Sequence, residues 1–357
     1  MKDETKVILI TGALGQDGYY LAEYLASHYE KVKVYCGFRY SATRILGITS
    51  RGHKNINISN SIFIELDVTD HTSIASAFNS ILTRHGHLDQ VYHLAAFSHV
   101  GKSYQHVETV FQTNTIGTAN MLEAIKRFTP ETKFYNACTS EMFDGSSKEL
   151  LTEEDAFKPK SPYGISKLAS FNLGNYYKEA YGLFVSQGIL FNHESPRRGP
   201  DFVTQKIVTS LVRQYYYDDA PILELGSLIS ERDWGDARDY VKGMVLMLEH
   251  DEPDNFILAT GKSISVLDFL KKAHFMIFGD NDDLSKRYIS TDKNKRANEV
   301  FYLKGDSTKA RKILHWEPEY TIDNTIKFMI TSAAKSIADK DTNYMNMYFD
   351  LNIKLKN

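Results

Sequence analysis

Tyr163 and Lys167 stand four residues apart in "SPYGISKLASF". On a helix that spacing puts a phenol and an ammonium on one face. A cation beside a phenol stabilises phenolate, so Tyr163 is a candidate base and Lys167 its partner. Such a pair alone is common on exposed helices. Here it is preceded by "KFYNACTSEMFD", which reads as a strand ending in Thr139, Ser140 and Glu141. A hydroxyl and a carboxylate at a strand end, beside a tyrosine–lysine face, describe proton and hydride chemistry on a hydroxylated carbon. Lys167 can in addition hold the ribose of a nicotinamide cofactor.

A second polar constellation follows. "GILFNHESPRRGPDFVTQKI" begins as a buried strand and turns abruptly to Asn192, His193, Glu194, Arg197 and Arg198, with Lys206 further on. An amide, an imidazole and several cations at a strand mouth suit a diphosphate, which needs donors and positive charge when it leaves water.

These groups need a scaffold, and the first hundred residues read as one. Val7–Ile10 is a continuous apolar run, as expected of a parallel strand covered on both faces. Gly12, Gly15 and Gly18 follow, then a helix with Leu21, Ala22 and Leu25 on one face. Glycines let the backbone approach a pyrophosphate, which the helix N-terminus favours electrostatically. "KVKVYCGF" is a second strand leading to Arg39, with Arg44 close behind. Arginine where a ribose-binding carboxylate is usual argues for a 2′-phosphate, hence NADP. A third strand ends at Asp67, placed for an adenine amino group, and its helix starts at Asp70 or Thr72. A fourth runs to Leu94, where small Ala95 and Ala96 admit a cofactor and Ser98 and His99 face the crevice.

The 357 residues, 42% hydrophobic and 24% charged with net charge −3, suit a globular chain of two lobes. The charge excludes the basic footprint of nucleic-acid binding. No apolar run is long enough to span a membrane, and "MKDETKVILITG" is not a signal peptide. Two cysteines, Cys36 and Cys138, form neither a disulfide framework nor a zinc-ligand spacing. A reducing, cytoplasmic compartment and no metal are expected.

The motifs "ITGALGQDG", "TSE", "SPYGISK", "NHESPRRG", "FVTQKI" and "ERDWGDARDYV" together resemble the GDP-mannose 4,6-dehydratases of the extended short-chain dehydrogenase/reductase superfamily, over almost the whole chain. The resemblance implies an α/β, Rossmann-like doubly wound parallel sheet with a smaller C-terminal substrate lobe. It implies an NADP-binding domain at 1–190, with 228–250 packing back onto it, and a nucleotide-sugar lobe at 191–227 and 251–350. It places Gly12, Gly15, Gln16, Asp17, Arg39, Asp67, Val68, Leu94, Ala95, Ser98, Lys167, His193 and Arg198 at the cofactor. It places Ser98, Asn192, Lys206, Arg232, Arg296 and Glu299 at a GDP-sugar.

The implied reaction is an internal oxidation–reduction with Thr139, Glu141, Tyr163 and Lys167 as catalytic residues. Tyr163 takes the 4-hydroxyl proton while Thr139 holds that oxygen. Glu141 takes the C5 proton and protonates the departing C6 hydroxyl. Competing readings are a 4-keto reductase or 4-epimerase, which has no use for Glu141, and an NADP-sensing regulator, which needs no catalytic set. Departures from the family occur at Phe97, Thr109, Asp144, Gln205 and Ala297. Asp144 and Phe97 near the sugar suggest a GDP-manno-heptose as an alternative substrate. Family members assemble as homodimers or homotetramers, the latter sharing NADP sites through the segment holding Arg39, Arg44, Arg51 and Lys54.

Overall fold

The computed structural model describes residues 5–39, 60–146, 149–292, 298–340 and 344–356. Arg44, Arg51, Lys54, Arg296 and Ala297 lie outside them.

The apolar run is strand β1 (Lys6–Thr11). Val7 and Leu9 pack into one apolar cluster and Ile8 and Ile10 into another, all fully buried. A strand alternates its side chains, so burial of both sets means helices on both faces. After β1 come α1 (Gln16–His28), β2 (Val32–Phe38), β3 (Ser61–Glu65), α2 (His71–His85), β4 (Gln90–His93), α3 (Gly117–Phe128), β5 (Lys133–Thr139), α4 (Pro162–Tyr181) and β6 (Val185–Leu190). The chain then leaves this sheet through β7 (Asn192–Glu194), α5 (Val203–Tyr216), β8 (Leu223–Leu225), β9 (Glu231–Asp236) and α6 (Ala237–Glu249), and rejoins it with β10 (Asn255–Leu258).

The sheet has seven parallel strands in the order β10-β6-β5-β4-β1-β2-β3. Strand order reverses between β1 and β4, which opens a crevice at their carboxyl ends. α1 and α6 cover the Ile8 face, while α2, α3 and Tyr177 of α4 cover the Val7 face. Asp70 is the cap of α2, accepting from Thr72 N.

The smaller lobe has its own core. α5, α7 (Val266–Phe278) and α8 (Ile322–Ala338) bury Leu211, Phe269, Ile326 and Ile330 together. β9 is flanked by β11 (Ser263–Ser265) and β13 (Tyr302–Leu303) and also pairs with β7; β12 (Tyr288–Ser290) pairs with β8. The division expected at 250 needs correcting, because β10 completes the large sheet, and Leu314 and Trp316 join the cluster beneath α1 and α6. Sheet pairing is a long-range relation that the local sequence does not mark. Among the described residues no helix is long and apolar enough to cross a membrane.

Candidate active site

The crevice continues into a cleft of about 610 Å³ between the lobes. It is lined by Asp17, Leu94 and Lys167, by Ser98, Thr139, Glu141 and Tyr163, and by Asn192, Lys206, Arg232 and Glu299. His193 and Arg198 line it too.

Local structure fixes the central group. Ser161 caps α4 by accepting from Gly164 N, Pro162 occupies the first turn, and Gly182 closes the helix in a left-handed conformation. Glu141 sits in the single turn after β5, its N–H donating to Thr139 Oγ1 at 3.2 Å. A Cβ on Gly164 would collide with the Glu141 carbonyl, so this glycine lets the tyrosine helix close on the glutamate turn.

The electrostatics of the pair differ from the sequence expectation. Lys167 Nζ donates to the Ala137 carbonyl at 2.7 Å and does not point its charge at the phenol. Burial lifts the Tyr163 phenol to about 12, against a lowering hydrogen bond from Thr139. Burial also brings Lys167 down to about 8. In the ligand-free protein burial keeps Tyr163 a protonated phenol, and Thr139 and the Arg198 charge are the neighbours that favour its ionisation. The strand carbonyl won the lysine because a buried ammonium takes the nearest strong acceptor.

Arg232, 6% exposed, reaches between two carboxylates: Nη2 is 4.0 Å from Glu141 Oε1 and 3.7 Å from Glu299 Oε1. Asn192 points a buried Oδ1 with no partner. Such an orphaned acceptor wants a donor from a ligand.

The cofactor end fits a dinucleotide. Gly12 has φ +68°, and a Cβ there would come 2.8 Å from Ala95 N. Gly15 begins α1 with no side-chain cap bond, which suits a helix start that receives an anion. Leu94 N and Ala95 N both donate to Thr11 Oγ1 at 3.1 Å, holding this backbone against β1. Val68 is buried under Gly117. Arg39 and Asp67 meet at the ends of β2 and β3, 4.0 Å apart, while Asp67 Oδ1 accepts from Thr69 N at 2.9 Å and Thr69 Oγ1 at 2.7 Å.

Several expected ligand groups are already engaged by protein. Arg198 Nε pairs with buried Glu194 at 3.1 Å and its guanidinium covers the Phe202 ring. Thr204 Oγ1 donates to the same Glu194 at 2.6 Å. His193 faces Asp17 with Nε2 and the Phe191 carbonyl with Nδ1. Sequence reasoning missed these pairings; the arginine four residues after Glu194 was the available signal. Asp233 is buried and takes Thr260 and Gly261, so it orders a loop, and the cap of α6 is Asp236.

Two residues expected near the sugar make local contacts in the ligand-free protein. Asp144 Oδ1 accepts from Ser146 N at 3.0 Å and Ser146 Oγ at 2.8 Å, closing a local turn outside the cleft lining. Phe97 is held by its backbone to Asn114 and its ring lies near His106, likewise outside the lining.

A parallel seven-stranded sheet with Tyr163, Lys167 and Thr139 at its crevice defines a short-chain dehydrogenase/reductase type of enzyme. The family described as "GDP-mannose 4,6 dehydratase" matches residues 9–329. The chain belongs to that family. It is 38% identical over 346 residues to the GDP-mannose 4,6 dehydratase of Cricetulus griseus, covering 91% of this chain and 90% of the relative. It is 37% identical over 344 residues to that of Homo sapiens, covering 91% and 90%. Among solved structures, RMD from Pseudomonas aeruginosa complexed with NADPH shares the fold at TM-score 0.73 and 20% identity, covering 92% of this chain and 99% of that one. dTDP-glucose 4,6-dehydratase from Bacillus anthracis in complex with NAD shares it at TM-score 0.74 and 19% identity, covering 96% and 100%.

Proposed function

We infer that the protein converts GDP-mannose to GDP-4-keto-6-deoxymannose, with NADP held in the crevice. The observation that carries this is Glu141 in the same cleft as Thr139 and Tyr163, in a chain whose family is defined by that reaction. A nicotinamide held by these residues would supply the hydride acceptor for C4 and the hydride donor for C6.

The chain's own residues do the proton work. Tyr163, once it has lost its own proton to water, accepts the proton of the 4-hydroxyl; Thr139 first supports that phenolate and then, when the phenol is reprotonated, hydrogen-bonds the C4 oxygen. A ketone at C4 acidifies the C5 proton, which Glu141 takes. The carboxyl so formed protonates the C6 hydroxyl as it leaves as water; once C6 is reduced, C5 takes back a proton from solvent through Glu141 and Tyr163 returns its proton to solvent. Lys167, buried at the Ala137 carbonyl beside the cleft, holds the cofactor ribose. Arg39 beside Asp67 supports NADP over NAD. Asn192, Lys206, Arg232 and Glu299 hold the diphosphate and ribose, with Arg296 assigned to them by the family resemblance.

The engaged Asp144 supports mannose over a manno-heptose, and buried Glu141 opposes a plain reductase or epimerase. We also propose a homodimer through α4, whose Ile165, Tyr176 and Tyr181 are 46%, 51% and 45% exposed. A tetramer sharing NADP sites would use the segment after Arg39. Two buried free thiols suit a cytoplasmic setting.

The test is incubation of the purified protein with GDP-mannose and NADP+. The product should have lost one water and gained a 4-keto group by mass and NMR. A product with every oxygen retained sinks the reading.

A further inference from the structure

Gln16 and Asp17 open α1, where the sequence assigns them to the cofactor. Their side chains do something else. Asp17 Oδ2 lies 3.0 Å from His193 Nε2. Gln16 Nε2 donates to Asp17 Oδ1 at 3.1 Å and to the His193 carbonyl at 3.0 Å. Ser195 Oγ donates to Gln16 Oε1 at 2.7 Å. The other ring nitrogen, His193 Nδ1, faces the Phe191 carbonyl at 2.8 Å. An imidazole between a carboxylate and a carbonyl has two acceptors to satisfy and donates from both nitrogens only as imidazolium. Its ring is stacked on Tyr240 of α6, centroids 4.4 Å apart.

We propose that Asp17 is a positioning residue: its buried ion pair with His193, with Gln16 as the neutral half of the same bracket, fastens β7 to the start of α1. The glycine turn and Asn192 are then presented to one ligand as a unit. This rests on the reading that the crevice holds a nicotinamide dinucleotide.

Burial opposes charge on both members. Their mutual attraction outweighs it, holding His193 above its ordinary 6.5 and Asp17 below its ordinary 3.8. Arg198 faces both and favours the carboxylate over the imidazolium; Glu194 is the neighbouring carboxylate, and Tyr135 and Tyr240 are neutral phenols. The sign follows. The pair is intact below the raised value of His193 and is lost as pH rises through it. On the acid side it is lost only as pH falls through the depressed value of Asp17. Across the ordinary assay range the bracket therefore weakens only on the alkaline side.

NADPH binding, followed by its fluorescence from about pH 5 to 9, tests this on full-length Asp17→Asn, His193→Gln and the double variant. Each single change should weaken binding about tenfold at neutral pH, and the double variant should weaken it no further. The alkaline fall in affinity should be shallower in Asp17→Asn than in wild type, because only the part set by Lys167 remains. In ligand-free protein the His193 ring should titrate at lower pH by NMR in Asp17→Asn than in wild type. Additive losses, or a uniform loss with the wild-type pH profile and ring titration, overturn the proposal. If Asp17→Asn does not fold, the double variant, with two neutral amides that can pair, is compared with His193→Gln alone; a further tenfold loss there overturns it. Wild type that fails to bind NADPH at any pH sinks the cofactor reading, while the ring titration still decides the pair.

Discussion

Arg232 Nη2 lies 4.0 Å from Glu141 Oε1, so the side chain assigned to the diphosphate also stands over the proposed C5 base. Glu299 flanks it on the other side at 3.7 Å, and both carboxylates are largely buried. One guanidinium thus separates two like charges in a site of low dielectric, where their repulsion is poorly screened.

Arg232→Met should therefore disturb chemistry as well as binding. At saturating substrate, water loss should slow about 100-fold, a loss typical of removing one oriented charged donor. C4 oxidation, read as transient NADPH absorbance in a single turnover, should slow less. Equal losses in both steps would reduce Arg232 to a ligand anchor.

The two groups of the tyrosine–lysine face should leave opposite marks on alkaline stability. Lys167 titrates at about 8 when folded against an ordinary 10.5, so the unfolded chain binds more protons between those values. From this group stability rises with pH across that window, by about 3 kcal/mol when complete. Tyr163 titrates at about 12 against 10, so from this group stability falls as pH rises from 10 to 12. Urea unfolding at intervals across that range should give a steeper rise in wild type than in Lys167→Met. Identical slopes would mean that Lys167 is charged and solvated in the folded protein.

Much of this site is legible locally. A glycine turn after an apolar strand, a Thr-Ser-Glu strand end and a YxxxK helix each fix geometry within a few residues, because strand and helix periods are short. The direction of a side chain at the end of such an element is less legible. Lys167 could reach Tyr163 by spacing, yet the Ala137 carbonyl of β5 was the better acceptor. Asp144 is near the sugar in sequence, yet Ser146 engages its Oδ1. The Asp17–His193 contact joins residues 176 apart, which no local pattern encodes. The same applies to β10, whose place beside β6 is set by sheet pairing and not by its four residues alone.

Glu141→Gln separates the half-reactions. C4 oxidation should survive, while solvent deuterium exchange at C5 should drop by about 1000-fold, within the usual range for loss of a general base. Exchange at the wild-type rate would assign C5 to another group.

Cofactor choice should rest on Arg39. It is 44% exposed on its side chain, so its phosphate contact is partly screened. Arg39→Ala should weaken NADP binding about tenfold, a modest value for one solvent-accessible charged contact, and leave NAD binding nearly unchanged. An unchanged ratio of the two affinities would move the phosphate site elsewhere.

The most direct measurement follows one hydrogen. GDP-mannose carrying deuterium at C4 is converted by the wild-type protein, and the product is read by NMR. Internal oxidation, elimination and return of the hydride predict deuterium at C6 of a 4-keto-6-deoxy product. Deuterium retained at C4, or found only in free NADPH, would contradict the account.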